Sequence, residues 1–232
     1  MKATAHHREV RSYVQREGRL TRAQGRALET LWPKFGVDPG TTPLDLDLLF
    51  GRRAPRILEI GFGDGESLAE LARARPECDY LGIEVHRPGI GHLLLALEKD
   101  AIGNVRIVRD DAVAVLRERI PDGSLAGVNI FFPDPWPKKR HHKRRLIQPP
   151  FVELLASKLE GGARLHLATD WEDYAAQMRE TLNASPSFEE SECSVERPAT
   201  KFETRGRRLG HGVWDLVFIR SPGYEPMSLD RL

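Results

Sequence analysis

From Arg56 onward the chain alternates short apolar runs with longer amphipathic ones, and this alternation constrains the fold more than any other feature of the 232 residues. The run Arg-Ile-Leu-Glu-Ile at 56–60 predicts a buried strand, and 66–75 a helix with Leu68, Leu71 and Ala72 on one face. The pairing then recurs: strand 80–85 with helix 91–100, strand 105–108 with helix 112–120, strand 125–132 with helix 150–159, and strand 163–168 with helix 171–183. Strand candidates at 187–193 and 213–219 close the pattern. Strands separated by helices pair in parallel, so the expected fold is α/β: a doubly wound, mostly parallel seven-stranded sheet with helices on both faces. Ligands of such sheets bind beyond the carboxyl ends of the strands.

Upstream, Pro39, Gly40, Pro43 and Gly51 break the stretch from Gly36 to Pro55, which reads as a linker. The expected division is a basic N-terminal arm and linker over 1–50 and one domain over 51–232. The arm holds Arg8, Arg11, Arg16, Arg19, Arg22 and Arg26 against Glu9 and Glu17. A second cationic cluster is denser. Lys138, Lys139, Arg140, Lys143, Arg144 and Arg145 supply six positive charges to a formal net charge of only +1, so the rest of the chain is net acidic. Basicity this local suits a polyanion-binding patch. The N-terminus lacks the apolar stretch of a signal peptide and no run reaches membrane-spanning length, so a cytoplasmic protein is expected. Cys78 and Cys193 belong to no CxxC or Cys/His pattern, so neither a disulfide nor a metal is expected.

The predicted strand ends carry the chemistry. The first runs into Glu59-Ile60-Gly61-Phe62-Gly63-Asp64-Gly65, where glycines let the backbone turn and a ligand approach closely. A dinucleotide fingerprint spaces its third glycine differently, which argues against a nicotinamide dehydrogenase. Glu84 ends the second strand 23 residues after Gly61, about where an acid accepts from a ribose diol. Asp110 and Asp111 end the third, placed either to accept from an adenine amino group or to cap the helix that follows. The fourth runs into Phe-Phe-Pro-Asp-Pro-Trp-Pro and the cationic run. Prolines after Phe132, Asp134 and Trp136 predict an extended, stiff loop that holds Asp134 at a fixed height. Asp170 ends the fifth, and Thr200-Lys201-Phe202-Glu203 precedes Arg205, Arg207, Arg208 and His211.

These residues resemble the bacterial tRNA (guanine-N7-)-methyltransferase family. The resemblance lies in LEIGFGDG at 58–65, IEVH at 83–86, DDA at 110–112, FFPDPWPKKRHHKRR at 131–145, ATDW at 168–171 and TKFETRGRRLGHGVWDLVF at 200–218, and RSYVQREGRLT at 11–21 looks like that family's arm. It implies a class I Rossmann-like methyltransferase that methylates N7 of a guanine in the tRNA variable loop. It also implies S-adenosyl-L-methionine bound by Glu59, Glu84, Asp111 and Asp134 beside Gly61 and Gly63, and tRNA substrate bound by Lys138, Asp170, Thr200, Lys201, Phe202 and Glu203. Arg140, His141, His142, Lys143, Arg144 and Arg145 would lie along the RNA. Asp134 is the expected catalytic group, orienting and electrostatic, because guanine N7 has no proton to remove. No metal, membrane or obligate protein partner is expected. Two alternatives stand beside this: methylation of an exocyclic amine, suggested by Asp134-Pro135-Trp136, and an RNA-binding module that keeps the fold without catalysis. Residues 185–198 match no motif.

Overall fold

The computed structural model describes residues 18–193, 195, 197, 198, 200, 203 and 212–223. Helices α1 (Arg22–Thr30) and α2 (Trp32–Phe35) lead into β1 (Gly36–Val37) and α3 (Leu46–Phe50). The alternating portion follows as β2 (Arg56–Ile60), α4 (Glu66–Ala74), β3 (Asp79–Ile83), α5 (Arg87–Lys99), β4 (Val105–Val108), α6 (Ala112–Glu118) and β5 (Leu125–Phe131). After a 3-10 helix at Lys139–Arg144 come α7 (Pro149–Lys158), β6 (Leu159–Thr169), α8 (Glu172–Asn183), β7 (Phe188–Glu190) and β8 (Trp214–Arg220).

Among the described residues these strands form one sheet in the order β1-β4-β3-β2-β5-β6-β8-β7. It is parallel from β1 to β6, while β8 runs antiparallel to both β6 and β7. β2 and β3 are buried almost end to end, as a sheet covered on both faces demands. Helix α5 shows why the faces close: Ile90, Leu93, Leu94 and Leu97 form one apolar stripe, packed with Leu68 and Ala72 of α4 and Ala27 of α1. Residues of α6, α7 and α8 pack on the opposite face, around Leu58, Val128 and Leu165. The chain leaves β2 toward β3 and β4, then crosses back to β5 on the other side, so the switch point lies between β2 and β5.

Three expectations change. The predicted helix at 91–100 begins at Arg87, because Pro88 sits in the first turn, where its missing N–H leaves nothing unpaired. Eight strands replace seven, the extra one being the two-residue edge strand β1 beside β4. That strand also revises the boundary near residue 50, since the supposed linker lies within the fold. Phe35, Val37 and Leu46 are buried, Thr21 and Gln24 form a reciprocal cap at α1, and Asp45 caps α3. The long-range packing of α1 on α5 overrides the local glycine and proline signals. Residues 1–17, which hold Arg8, Arg11 and Arg16 of the expected arm, lie outside the described residues.

Candidate active site

Parallel pairing sets the ends of β2, β3, β4, β5 and β6 along one edge, so Glu84, Asp111, Asp134 and Asp170, together with Glu59 on β2, come from five different strands. On the β3 side the backbone does the fastening. Gly63, at φ 62°, turns its N–H toward Glu84 Oε2 at 2.9 Å, while Glu84 Oε1 accepts from Val85 and His86 at 2.7 and 2.9 Å. The carboxylate is therefore oriented before any ligand arrives, with lone pairs remaining for hydroxyl donors. Gly89 permits this approach, because a Cβ there would lie 1.9 Å from the Gly63 carbonyl oxygen. The sequence reading missed it, because the helix was expected to begin only at residue 91. Asp111 caps α6, its Oδ1 accepting from Ala114 N at 3.0 Å.

Glu59 differs from these rim acids. It is 2% exposed and lies beside Asn129 in the β2–β5 register. Burial pushes its carboxyl up to about 8, against the opposing effects of a hydrogen bond from Asn129 and the charge of Arg197. Its Oε2 is buried without a partner, as is Ser67 Oγ. Both residues line a small cleft with Gly61, Gly63, Phe131, Phe132 and Thr200. Buried acceptors left open in this way are uncommon and call for a ligand.

The loop after β5 departs from the extended geometry expected of residues that precede proline. Phe132 and Trp136 instead have φ of 52° and 45°. Side chains larger than glycine rarely adopt this region, and surrounding structure has to impose it. Phe132 N–H donates to the Ala168 carbonyl at 2.7 Å, and the Trp136 ring meets the Arg144 guanidinium at 4.9 Å and the His141 ring edge at 5.9 Å. Asp134 is exposed between these two turns.

Lys138, Arg140, Lys143 and Arg144 are exposed along and beside the 3-10 helix, with His141 and His142 half-buried. Partial burial, then the charges of Arg140 and Arg144, hold His141 below its ordinary value. Arg145 corrects the expectation of RNA contact along the whole run. Its side chain is 1% exposed, donating to the Pro135 carbonyl at 2.9 Å and to Asp173 at 2.5 Å, with its guanidinium 4.7 Å from the Tyr174 ring centre. It braces the Asp134 loop from beneath.

At the β6 end, Thr200 lines the cleft, and its Oγ accepts from Glu203 N at 3.2 Å. Asp170 is half-buried where β6 gives way to α8. Lys201, Phe202, Arg205, Arg207, Arg208 and His211 lie outside the described residues. Three residues given no role in the sequence join this side: Arg197, His166 and Asp215, linked through 2.7–2.8 Å contacts. Asp215 stood within the 200–218 motif, and His166 was a histidine inside an otherwise apolar strand, which burial obliges to find a partner.

Among the described residues no group of three or more His, Cys, Asp or Glu is placed to hold a metal ion, and no helix is long and apolar enough to cross a membrane. The donor set fits a nucleoside bearing a cationic amino-acid end: a buried carboxyl with an open oxygen at the switch point and further acids at the next two strand ends.

Comparison with known proteins agrees with this arrangement. Residues 53–216 match a family model described as putative methyltransferase. A tRNA (guanine-N(7)-)-methyltransferase of Alkalilimnicola ehrlichii is 62% identical, over 91% of this chain and 92% of its own. Those of Nitrosococcus oceani and Neisseria meningitidis serogroup A are 58% and 54% identical over 92% and 93% of this chain, and 92% of each of theirs. Among solved structures, the 16S rRNA methyltransferase KamB superposes with a TM-score of 0.55 at 16% identity, over 82% of this chain and 99% of its own, which shows the shared fold. A 16S rRNA (adenine-N(1))-methyltransferase solved with its cosubstrate S-adenosylmethionine superposes equally well, with a TM-score of 0.55 at 17% identity, over 82% of this chain and 96% of its own. The strand-end carboxylates, the glycine turn between β2 and α4 and the cationic loop after β5 are thus set in a class I methyltransferase sheet, and the chain belongs to the tRNA (guanine-N(7)-)-methyltransferase family.

Proposed function

We propose that this protein transfers the methyl group of S-adenosylmethionine to N7 of a guanine in the tRNA variable loop. One observation carries the reading: buried Glu59, with an open carboxyl oxygen, shares a cleft with Thr200 and with the Phe131–Phe132 turn that leads to Asp134. Glu59 would receive the ammonium group of the cofactor, Glu84 its ribose hydroxyls, and Asp111 its adenine amino group. When bound, S-adenosylmethionine supplies an electrophilic methyl on a sulfonium. Lys138, Asp170, Thr200 and Glu203 would hold the guanine, with Lys201 and Phe202 joining them. Lys138, Arg140, Lys143 and Arg144 would follow the phosphates, where each charge displaces a counterion.

Guanine N7 offers a lone pair and carries no proton, so the protein has to align and stabilise rather than deprotonate. The product ring is cationic. A fixed carboxylate at Asp134 stabilises that charge as it develops, and the prolines and Arg145 restrain its loop. Acting on tRNA, the protein would meet its substrate in the cytoplasm. Incubation with unmodified tRNA and methyl-labelled cofactor, followed by base-specific cleavage and mass spectrometry, is expected to locate the label on N7 of a variable-loop guanine. Label on an exocyclic amine, or no transfer, overturns the assignment.

A further inference from the structure

Arg197 comes from the segment without a motif, yet it joins β8, Glu203 and the Phe131–Phe132 turn. Its side chain is 5% exposed. The guanidinium closes on both oxygens of Asp215 in β8, with Nε–Oδ1 at 2.7 Å and Nη2–Oδ2 at 3.1 Å. Nη1 donates to Glu203 Oε2 at 2.7 Å. Its charge also lies 5.1 Å from the Phe131 ring centre and 5.3 Å from that of Phe132. Asp215 Oδ1 is held as well by His166 Nε2 at 2.8 Å, and the His166 ring stands edge-on to Phe131. Burial opposes the arginine's charge, but the bonds to Asp215 and Glu203 outweigh it and hold the guanidinium firmly protonated.

We propose that Arg197 is a positioning residue for methyl transfer, clamping the Thr200–Glu203 stretch to the Phe131–Phe132 turn so that the target base is fixed opposite Asp134. This rests on the methyltransferase reading above. Arginine is specifically required. Its planar fork engages two carboxylates in different directions while lying against aromatic rings, whereas a lysine ammonium is a point charge on a flexible stem. Phe132 is also one of the residues at positive φ, so the clamp presses on the turn that sets the direction of the following Pro133-Asp134 step.

The test compares wild type, Arg197→Lys and Asp215→Asn, with active sites counted by labelled S-adenosylmethionine. Single-turnover methylation per active site is measured at saturating tRNA, beside the Kd of tRNA and the melting temperature. Arg197→Lys is expected to lose on the order of 10²-fold in rate, the scale of an ångström-sized misplacement. Its tRNA affinity should change by less than about threefold, because phosphate contacts dominate binding. Asp215→Asn, which keeps the shape of the network, should lose rate in the same direction by a smaller factor, and serves alone if Arg197→Lys does not fold. Wild-type rates per active site in every variant that folds overturn the proposal. So does a loss confined to the active fraction, to stability or to tRNA affinity. A wild-type protein that leaves guanine N7 unmethylated defeats the functional reading itself, a distinct result in the same series.

Discussion

The two sides of the cleft are built by different means. On the proposed cofactor side, Glu84 and Asp111 are oriented by backbone N–H groups within a few residues of a strand end or a helix start. On the proposed target side, orientation comes from side chains remote in sequence: Arg145 reaches 28 residues to Asp173, and Arg197 reaches 18 residues to Asp215. A site fastened by main chain needs only the right glycines and one acid per strand. A site fastened by buried arginines depends on their carboxylates, since removing the acid leaves a guanidinium desolvated and alone. The cofactor side should therefore absorb single substitutions as graded losses of affinity, and the target side as losses of rate or of loop stability.

Asp134→Asn probes that contrast most strongly. The amide keeps the shape and loses the charge, so single-turnover methyl transfer should fall on the order of 10²-fold while tRNA binding changes little. With no proton to abstract from N7, the residual rate should stay flat across neutral pH, whereas a rate climbing with hydroxide would reveal a general base and an amine target. Next, Glu84→Ala should weaken cofactor binding by about 1–3 kcal/mol in calorimetry, the scale of a lost charge-assisted hydrogen bond. It also frees the Gly63, Val85 and His86 N–H groups, so unchanged affinity would break the picture of a backbone-fastened side.

The cationic run divides the same comparison within itself. Arg140, Lys143 and Arg144 together changed to Ala should flatten the log–log salt dependence of tRNA affinity by about 2–3 units. Arg145→Ala should leave that slope intact and instead destabilise the fold by about 1–3 kcal/mol in denaturant titrations, through the loss of its bonds to Pro135 and Asp173. A pH-dependent effect belongs to Glu59. Its folded carboxyl holds a proton until about pH 8, which the unfolded chain gives up near the ordinary carboxylate range. Without cofactor, stability should therefore fall as pH rises toward about 8 and level off above it. Glu59→Gln should remove this slope and bind cofactor more weakly. Wild-type affinity should increase with pH up to about 8, as the carboxyl ionises to meet the ligand's ammonium group.

The cofactor side was also the more legible in sequence. β2 falls on the predicted 56–60, and the acids at 84 and 111 stand at strand ends because parallel strands with helical returns leave few other arrangements. Where the expectation failed, a long-range contact had overruled a local signal. Six cations in eight residues read as one RNA-facing patch, but Tyr174 and Asp173 of α8 take Arg145 inward. Residues before proline read as extended, but the Ala168 carbonyl captures the Phe132 N–H and turns that residue to positive φ. Glycines and prolines from 36 to 55 read as a linker, although β1 pairs with β4. Arg197 carried no local signal, because its partners lie on β8 and in the Thr200–Glu203 stretch.

β8 is the last of the described strands yet sits between β6 and β7. As the chain leaves the ribosome, β2 to β6 can pair in turn, but β7 has no strand to join until β8 follows it. The strand-end carboxylates of β2 to β4 are thus made before Asp215, on which Arg197 closes. A polypeptide interrupted before Trp214 would carry those carboxylates without the partner that fixes Arg197, so on the proposed assignment this order of synthesis puts the cofactor site ahead of base positioning.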